Sequence, residues 1–173
     1  MVRKSLHHYS ELEIYQFITF RTQDSIDTYL QKVSKMMKLS VSERQMKIDQ
    51  HCDQSNKGCY LNGETIDMVM TCIKSLDPDY YKLIAVSIMP NHVHLLIQQK
   101  QELRIILQKI KGVLAFQINK HLSRKGHFWE KSYFDKAIRN EKHFNIVYRY
   151  IENNANKVNL TDKDSRFYGI YCS

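Results

Sequence analysis

Met89-Pro90-Asn91-His92-Val93-His94-Leu95-Leu96-Ile97 carries a turn and then a hydrophobic run holding two histidines two residues apart. Side chains alternate along an extended chain, so His92 and His94 share one face and Val93 points to the other. Two imidazoles side by side on a sheet make a two-ligand platform for a divalent metal. Upstream, Lys82–Ile88 reads as a strand, and Met89-Pro90-Asn91 joins it to His92–Gln98 as an antiparallel hairpin.

The flanking sequence supplies the rest of a fold. Ile14–Phe20 is rich in β-branched and aromatic residues and reads as a strand. Asp24 or Ser25 can cap a helix over Ile26–Lys38, and Ser40 or Ser42 opens another through Ile48. The polar stretch 53–58 reads as a loop. Helical spacing of Ile66, Val69, Met70 and Ile73 predicts a helix over Glu64–Ser75. Leu103, Ile106, Leu107, Ile110, Leu114 and Ile118 predict a long one over Glu102–Leu122. A short strand at Tyr133–Ile138 and a helix over Glu141–Asn154 follow, and the polar, aromatic tail 161–173 receives no element. The expected fold class is α+β: a ferredoxin-like βαββαβ antiparallel sheet with one extra helix before the hairpin and an added C-terminal helix carrying the tyrosine. Without repeats or linkers, residues 1–173 read as one domain with its core at about 14–160.

Composition narrows the function classes. The 173 residues are 43% hydrophobic and 25% charged, ordinary for a globular protein, with a formal net charge of +8. No stretch approaches the ~18 apolar residues of a membrane span. The start, Met1 to His8, lacks an apolar signal region, so a cytoplasmic location is the expectation. Cys52, Cys59, Cys72 and Cys172 show no Cys-x-x-Cys spacing, which argues against zinc-ribbon or redox chemistry and for reduced thiols, Cys72 as a small core residue.

From Lys100 to Arg139, ten basic residues face three acidic ones, a net of +7 within forty positions. A solvated helix face is the plain explanation. Aromatics at His127, Phe128, Trp129, Tyr133 and Phe134, interleaved with the charges, favour single-stranded nucleic acid instead. The candidate DNA-binding residues are Arg104, Lys109, Lys111, Lys120, Arg124, Lys125, Trp129, Lys131, Tyr133 and Arg139.

The last predicted helix contains Tyr148-Arg149-Tyr150-Ile151-Glu152-Asn153-Asn154. Residues four apart share a helix face, which pairs Tyr150 with Asn154 and Tyr148 with Glu152. A phenol beside an oxygen ligand, facing two histidines, can attack a phosphate and form a covalent phosphotyrosine while a metal offsets the developing charge. A free phenol has a pKa near ~10, so it needs help to ionise. Tyrosines on such helices are also common packing residues, and the residues alone leave both pairs open.

Taken in order, these segments resemble the HUH single-tyrosine transposases, closest to the REP-associated tyrosine transposases and the insertion-sequence 200 type. Ile18-Thr19-Phe20-Arg21 is similar to the family's first strand, Lys57-Gly58-Cys59-Tyr60-Leu61 to a loop of one subgroup, and Met89–Ile97 to the His-hydrophobe-His signature. Phe128–Glu141 resembles the block that links the basic helix to the tyrosine helix, and Tyr150-Ile151-Glu152-Asn153-Asn154 the tyrosine helix itself. The resemblance spans about 14–160. It implies that His92, His94 and Asn154 are ligands of Mg²⁺ or Mn²⁺ and that Tyr150 is the nucleophile. It further implies a metal-dependent single-stranded DNA endonuclease and strand transferase, working through a 5′-phosphotyrosine on hairpin-forming repeats, with a homodimer among the expected states. Tyr148 and Glu152 form the runner-up site, since a carboxylate is the better hard-metal ligand. Two departures stand out. Ala155 replaces the usual proline after the asparagine pair, which predicts a helix longer by a turn, and Ser165–Gly169 replaces an aromatic C-terminal motif. The alternatives are a catalytically silent nucleic-acid-binding module derived from a transposase and, more remotely, a metal-dependent hydrolase of small phosphoesters.

Overall fold

The computed structural model describes residues 13–171. Its strands are β1 (Tyr15–Arg21), β2 (Tyr81–Ile88), β3 (His92–Gln99), β4 (Phe134–Ala137) and β5 (Phe167–Gly169), in one antiparallel sheet ordered β4-β1-β3-β2-β5. Without β5 this is the ferredoxin-like order, as the alternation of strands and helices predicts. A short 3-10 turn follows β1, and then come α1 (Thr28–Ser34), α2 (Val41–Gln54) and α3 (Glu64–Ser75). After the hairpin come α4 (Leu103–His121), α5 (Glu141–Glu152), α6 (Asn154–Lys157) and α7 (Lys163–Arg166). Among the described residues no helix is long and apolar enough to cross a membrane.

Strand alternation sorts the molecule into layers. Ile18 and Phe20 of β1 and Val93, Leu95 and Ile97 of β3 face α3 and α4, where they bury the apolar stripes of both helices. Phe17 and Leu96 point the other way and pack on Val147, Tyr148 and Ile151 of α5. The large core thus lies on one side of the sheet, and α5 covers the side that carries the histidines. A small separate core of Leu30, Val33, Ile48 and Cys52 joins α1 to α2.

Three boundaries differ from the sequence reading. Helix α1 stops at Ser34, whereas α2 runs on past Ile48 to Gln54. Ser40 opens α2 with a capping box, its hydroxyl accepting from the Glu43 amide and its own amide donating to the Glu43 carboxylate. The helix continues because Asp49 and Cys52 turn inward, and this carries Asp53 from the expected loop into the last turn. The tail, given no element above, forms α7 and β5. Arg166, 1% exposed, pins it by donating to the carbonyls of Leu61 and Ile88 and to Asp162 and Asn62. Finally, α5 stops at Glu152, Asn153 breaks the helix, and α6 adds a turn, so Ala155 permits continuation after a break rather than a straight extension. Cys52, Cys59 and Cys72 are free thiols; Cys172 lies outside the described residues, as does the N-terminal start.

The hairpin turn is buried and tied from several directions. The Pro90 carbonyl accepts from the Leu61 amide, and the Asn91 carbonyl from the Thr22 amide. Gly58 packs here with φ +66°, a left-handed conformation that glycine adopts without strain. A Cβ at this position would run into the Thr22 hydroxyl and the Ser25 backbone. Gly58→Ala should therefore destabilise the fold by about 1–3 kcal/mol, combining backbone strain with a collision against main chain. Urea unfolding of the variant checks this, and an unchanged midpoint would contradict it.

Candidate active site

The hairpin places His92 and His94 together on the face covered by α5, both essentially inaccessible to solvent. Their rings stand 4.7 Å apart at 84°. His92 Nδ1 lies 2.8 Å from Asn91 Oδ1. The Asn91 amide nitrogen donates to the carbonyls of Cys52 and Lys57, which leaves Oδ1 as the accepting end. His92 therefore carries its proton on Nδ1 and presents a bare Nε2. His94 Nδ1 is held 2.7 Å from the Thr19 hydroxyl on β1, and its Nε2 likewise has no hydrogen-bond partner. Burial and the nearby Arg21 guanidinium push His92 down to about 3; burial and His92 itself hold His94 well below its ordinary value. Both rings are neutral at physiological pH, the form that ligates metals.

Helix α2 brings two carboxylates to the same place. Gln45, Asp49 and Asp53 recur at helical spacing on its inner face. Asp49 Oδ1 accepts from the Gln45 amide at 2.7 Å, and Asp49 Oδ2 accepts from the Tyr150 hydroxyl at 3.1 Å. One ligand atom each from Asp49, His92 and His94 lie within 4.8 Å of one another. Asp53 Oδ1 stands 3.6 Å from His92 Nε2. Burial raises Asp49 to about 7, against the opposing pull of Arg21, and raises Asp53 to about 6, against that of Lys157.

Tyr150 projects from α5 onto this cluster. Its ring lies 5.3 Å from His94 and edge-on to Phe17 at 5.9 Å, and the Lys157 ammonium sits 4.3 Å from its centre. Burial, and then the Asp49 charge, raise the phenol well above its ordinary value. Asn154, 1% exposed, lies beside the phenol, and neither of its side-chain polar atoms has a geometric hydrogen-bond partner. His92, His94, Tyr150 and Asn154 are thus brought together as a set. Tyr148 is not part of it: its hydroxyl donates to the Tyr171 carbonyl and accepts the Tyr171 amide, on the β5 side of α5. The runner-up pair Tyr148 and Glu152 is corrected on that ground, because Tyr148 holds the tail.

The candidate DNA-binding residues divide. Arg104, Lys109, Lys120, Lys125, Lys131 and Arg139 are exposed. Lys111 is committed to the carbonyls of Glu130, Lys131 and Ser132 and fastens the segment after α4. Arg124 is paired with Asp24 at 2.6 Å and lies over the Tyr60 ring. Trp129 is 6% exposed, packed edge-on against Phe20 and Phe128, so it serves the core rather than a stacking platform. Tyr133 is half-buried and lines two openings that meet at Glu130. One is a groove of about 920 Å³ between α4 and the 126–133 segment; the other is a cleft of about 340 Å³ reaching Arg21 and Gln45. The basic helix itself lies across the sheet from the histidines. The connection after β3 takes α4 to the other face, where it packs on Val93, Leu95 and Ile97.

Asp49, Asp53, Arg21, Thr19 and Asn91 are site residues the sequence reading did not select. The Asp49-x-x-x-Asp53 spacing, on a helix continued past Ile48, was the available signal for the carboxylates.

The family profile described as Transposase IS200 like matches residues 54–154, more than half of the chain, and the chain belongs to that family. The matched span contains both histidines, Tyr150 and Asn154, and it begins just after Asp53. Among solved structures, a REP-associated tyrosine transposase bound to a REP hairpin is similar with a TM-score of 0.54 at 16% identity, covering 90% of this chain and 74% of that one. A candidate transposase from Deinococcus radiodurans R1 aligns at 18% identity and a TM-score of 0.49, covering 88% of this chain and 97% of its own. No curated protein matches the sequence. The first of these likenesses bears on the fold, which it shares.

The pKa of Asp49 has a thermodynamic consequence. With a folded value near 7 against an ordinary 3.8, the folded chain keeps a proton between about pH 4 and 7 that the unfolded chain releases. Its contribution to stability is therefore full below that window and is lost as pH rises through it. Metal-free Asp49→Asn should be more stable than the unsubstituted protein at pH 8, by about 2–4 kcal/mol, with the gap closing toward pH 4. Urea unfolding at the two pH values measures this; a pH-independent difference would refute it.

Proposed function

We propose that this chain is a metal-dependent single-stranded DNA endonuclease and strand transferase, with Tyr150 as nucleophile. The observation that carries the reading is Tyr150 itself, a buried phenol held against Asp49 and His94, beside two histidines with bare Nε2 atoms. Neutral imidazoles with orphaned nitrogens and an unpartnered Asn154 fit a divalent cation, Mg²⁺ or Mn²⁺ by the family resemblance. His92, His94 and Asn154 would hold it, and when bound it would polarise the scissile phosphate and offset the charge that develops there.

The remaining work falls to the protein. Thr19 and Asn91 orient the two rings. Lys157, close above the phenol ring, favours its ionised form, and Asp49 Oδ2 receives the phenol's hydrogen bond. The phenolate oxygen attacks phosphorus, the new Tyr150–phosphorus bond forms as the bond to the 3′ oxygen breaks, and a proton completes the free 3′-OH. Attack by another 3′-OH on the phosphotyrosine reverses these bonds, so no nucleotide cofactor is consumed. The exposed cations of α4 and the groove leading past Tyr133 to Arg21 provide a route for a strand. The similar solved structure is bound to a REP hairpin, which supports hairpin-forming repeats as the substrate class. The silent binding module is the reading that a failed test would leave.

Labelled hairpin DNA from the flanking sequence, incubated with protein and Mn²⁺ and denatured in SDS, should give a protease-sensitive covalent adduct. EDTA should abolish it, and Tyr150→Phe should lower it by at least ~10³-fold. Tight binding with no adduct would overturn the reading. An adduct retained by Tyr150→Phe would move the nucleophile elsewhere.

A further inference from the structure

We infer that Asp49, from α2, joins His92 and His94 as a carboxylate ligand of the metal centre. The inference rests on the strand-transfer reading of the same site and adds an anionic member to its ligand set.

Charge makes the argument. Two neutral imidazoles and an amide bring no negative charge, and a divalent cation in a buried site needs anionic ligands to offset its lost hydration. The site also contains two fixed cations: Arg21 acts on Asp49 and His92, and Lys157 acts on Asp53 and His94. Glu130 answers Arg21 at 2.8 Å. With Asn154 as its sole oxygen ligand, the cation would have no anionic ligand until a DNA phosphate arrived. Asp49 supplies one without DNA, releasing to solvent any proton it holds as the ion binds.

Geometry agrees. Among the described residues, Asp49 is the carboxylate whose ligand atom lies within 4.8 Å of those of both histidines, close enough for small side-chain shifts to bring all three onto one ion. Its side chain is held in place by Gln45. A carboxylate offers about four lone-pair directions, so it can keep the bonds from Gln45 and Tyr150 and still present one to a metal. Asp53 Oδ1, buried without a hydrogen-bond partner, stands 3.6 Å from the bare His92 Nε2. The two unpartnered atoms face each other across a gap in which both could serve one cation. Asp49 would then join metal to nucleophile, since the carboxylate that ligates also holds the phenol. The carboxylates lie just outside the family-matched span, which begins at residue 54.

The test is Mn²⁺ binding to the full-length protein without DNA, read as the loss of the free-ion EPR signal. The unsubstituted protein should bind Mn²⁺, and Asp49→Asn should weaken binding at least ~10-fold. The metal-free melting temperature of Asp49→Asn, expected to be at least that of the unsubstituted protein at pH 8, shows that the variant is folded. Mn²⁺ should raise the melting temperature of the unsubstituted protein but not of Asp49→Asn. Undiminished binding by Asp49→Asn would overturn the inference, as would no Mn²⁺ binding by the unsubstituted protein. If His92→Ala alone loses Mn²⁺, the ligand assignment fails while the strand-transfer reading stands. If Asp49→Asn loses Mn²⁺ but Tyr150→Phe still forms the DNA adduct, the nucleophile assignment fails and the metal centre stands.

Discussion

The antiparallel register of β1 against β3 is the constraint on which the site depends. It sets Thr19 opposite His94 and Arg21 opposite His92. A slip of one residue would turn both histidines toward α3 and α4, and Val93 and Leu95 toward α5. The register is held from both faces at once, because Ile18, Phe20, Val93 and Leu95 are buried on one side and Phe17 and Leu96 on the other. The Thr19 bond to His94 adds direction to this packing. Without it the imidazole would still be buried, but which nitrogen faces α5 would not be fixed. The hairpin turn does the same for His92, since Asn91 is itself immobilised by the carbonyls of Cys52 and Lys57. Imidazole orientation is thus built from side-chain bonds to Thr19 and Asn91, whose own positions the closed sheet and its turn fix.

A site made this way is held together against its own electrostatics. Two imidazoles, two carboxylates, a phenol, an amide and an arginine crowd a space from which water is largely excluded. Each ionised form pays desolvation, which is why the carboxyl groups of Asp49 and Asp53 are raised while the histidines are lowered. The two trends have one sense: burial favours the neutral form of every group. A divalent cation held there, as proposed, would reverse that preference for the carboxylates without a proton on the imidazoles. It would also give the unpartnered atoms of His92, His94, Asp53 and Asn154 one common cause, whereas in a purely structural core each would need an explanation of its own.

Much of this was legible in the sequence, for reasons that can be stated residue by residue. Strand alternation alone puts His92 and His94 on one face, and the strand and helix order alone predicts the ferredoxin-like sheet. The helix pairing of Tyr150 with Asn154 follows from spacing, but spacing treats Tyr148 with Glu152 equally. Only the packing of Tyr148 against the tail separates them, and that tail showed no periodicity from which to predict β5. Asp49 and Asp53 were hidden for a different reason. A polar run after Ile48 reads as a helix end, because inward-facing carboxylates lower the apolar signal that periodicity detects. Trp129 misled in the opposite way: an aromatic among lysines resembles a stacking platform until the bridge of Thr22 to Trp129 turns its ring into the core.

The sheet separates the basic helix from the tyrosine, and this bears on the proposed function. The cations of α4 stand on one face and the tyrosine on the other, so a strand that used both as proposed would pass around the sheet near the end of β1. There Glu130 is tied to Arg21 beside the histidines, and Lys111 of α4 is bound to the Glu130 carbonyl. One short segment, 130–133, therefore touches the basic helix, the groove, and the cation closest to Asp49. Lys111 contributes more as the fastening of that segment than as a phosphate contact, because its ammonium is already satisfied by three carbonyls. On the proposed reading, attraction for a polyanion and placement of its phosphate at the site would be joined mechanically through this segment, although the cations of α4 and the tyrosine lie on opposite faces of the sheet.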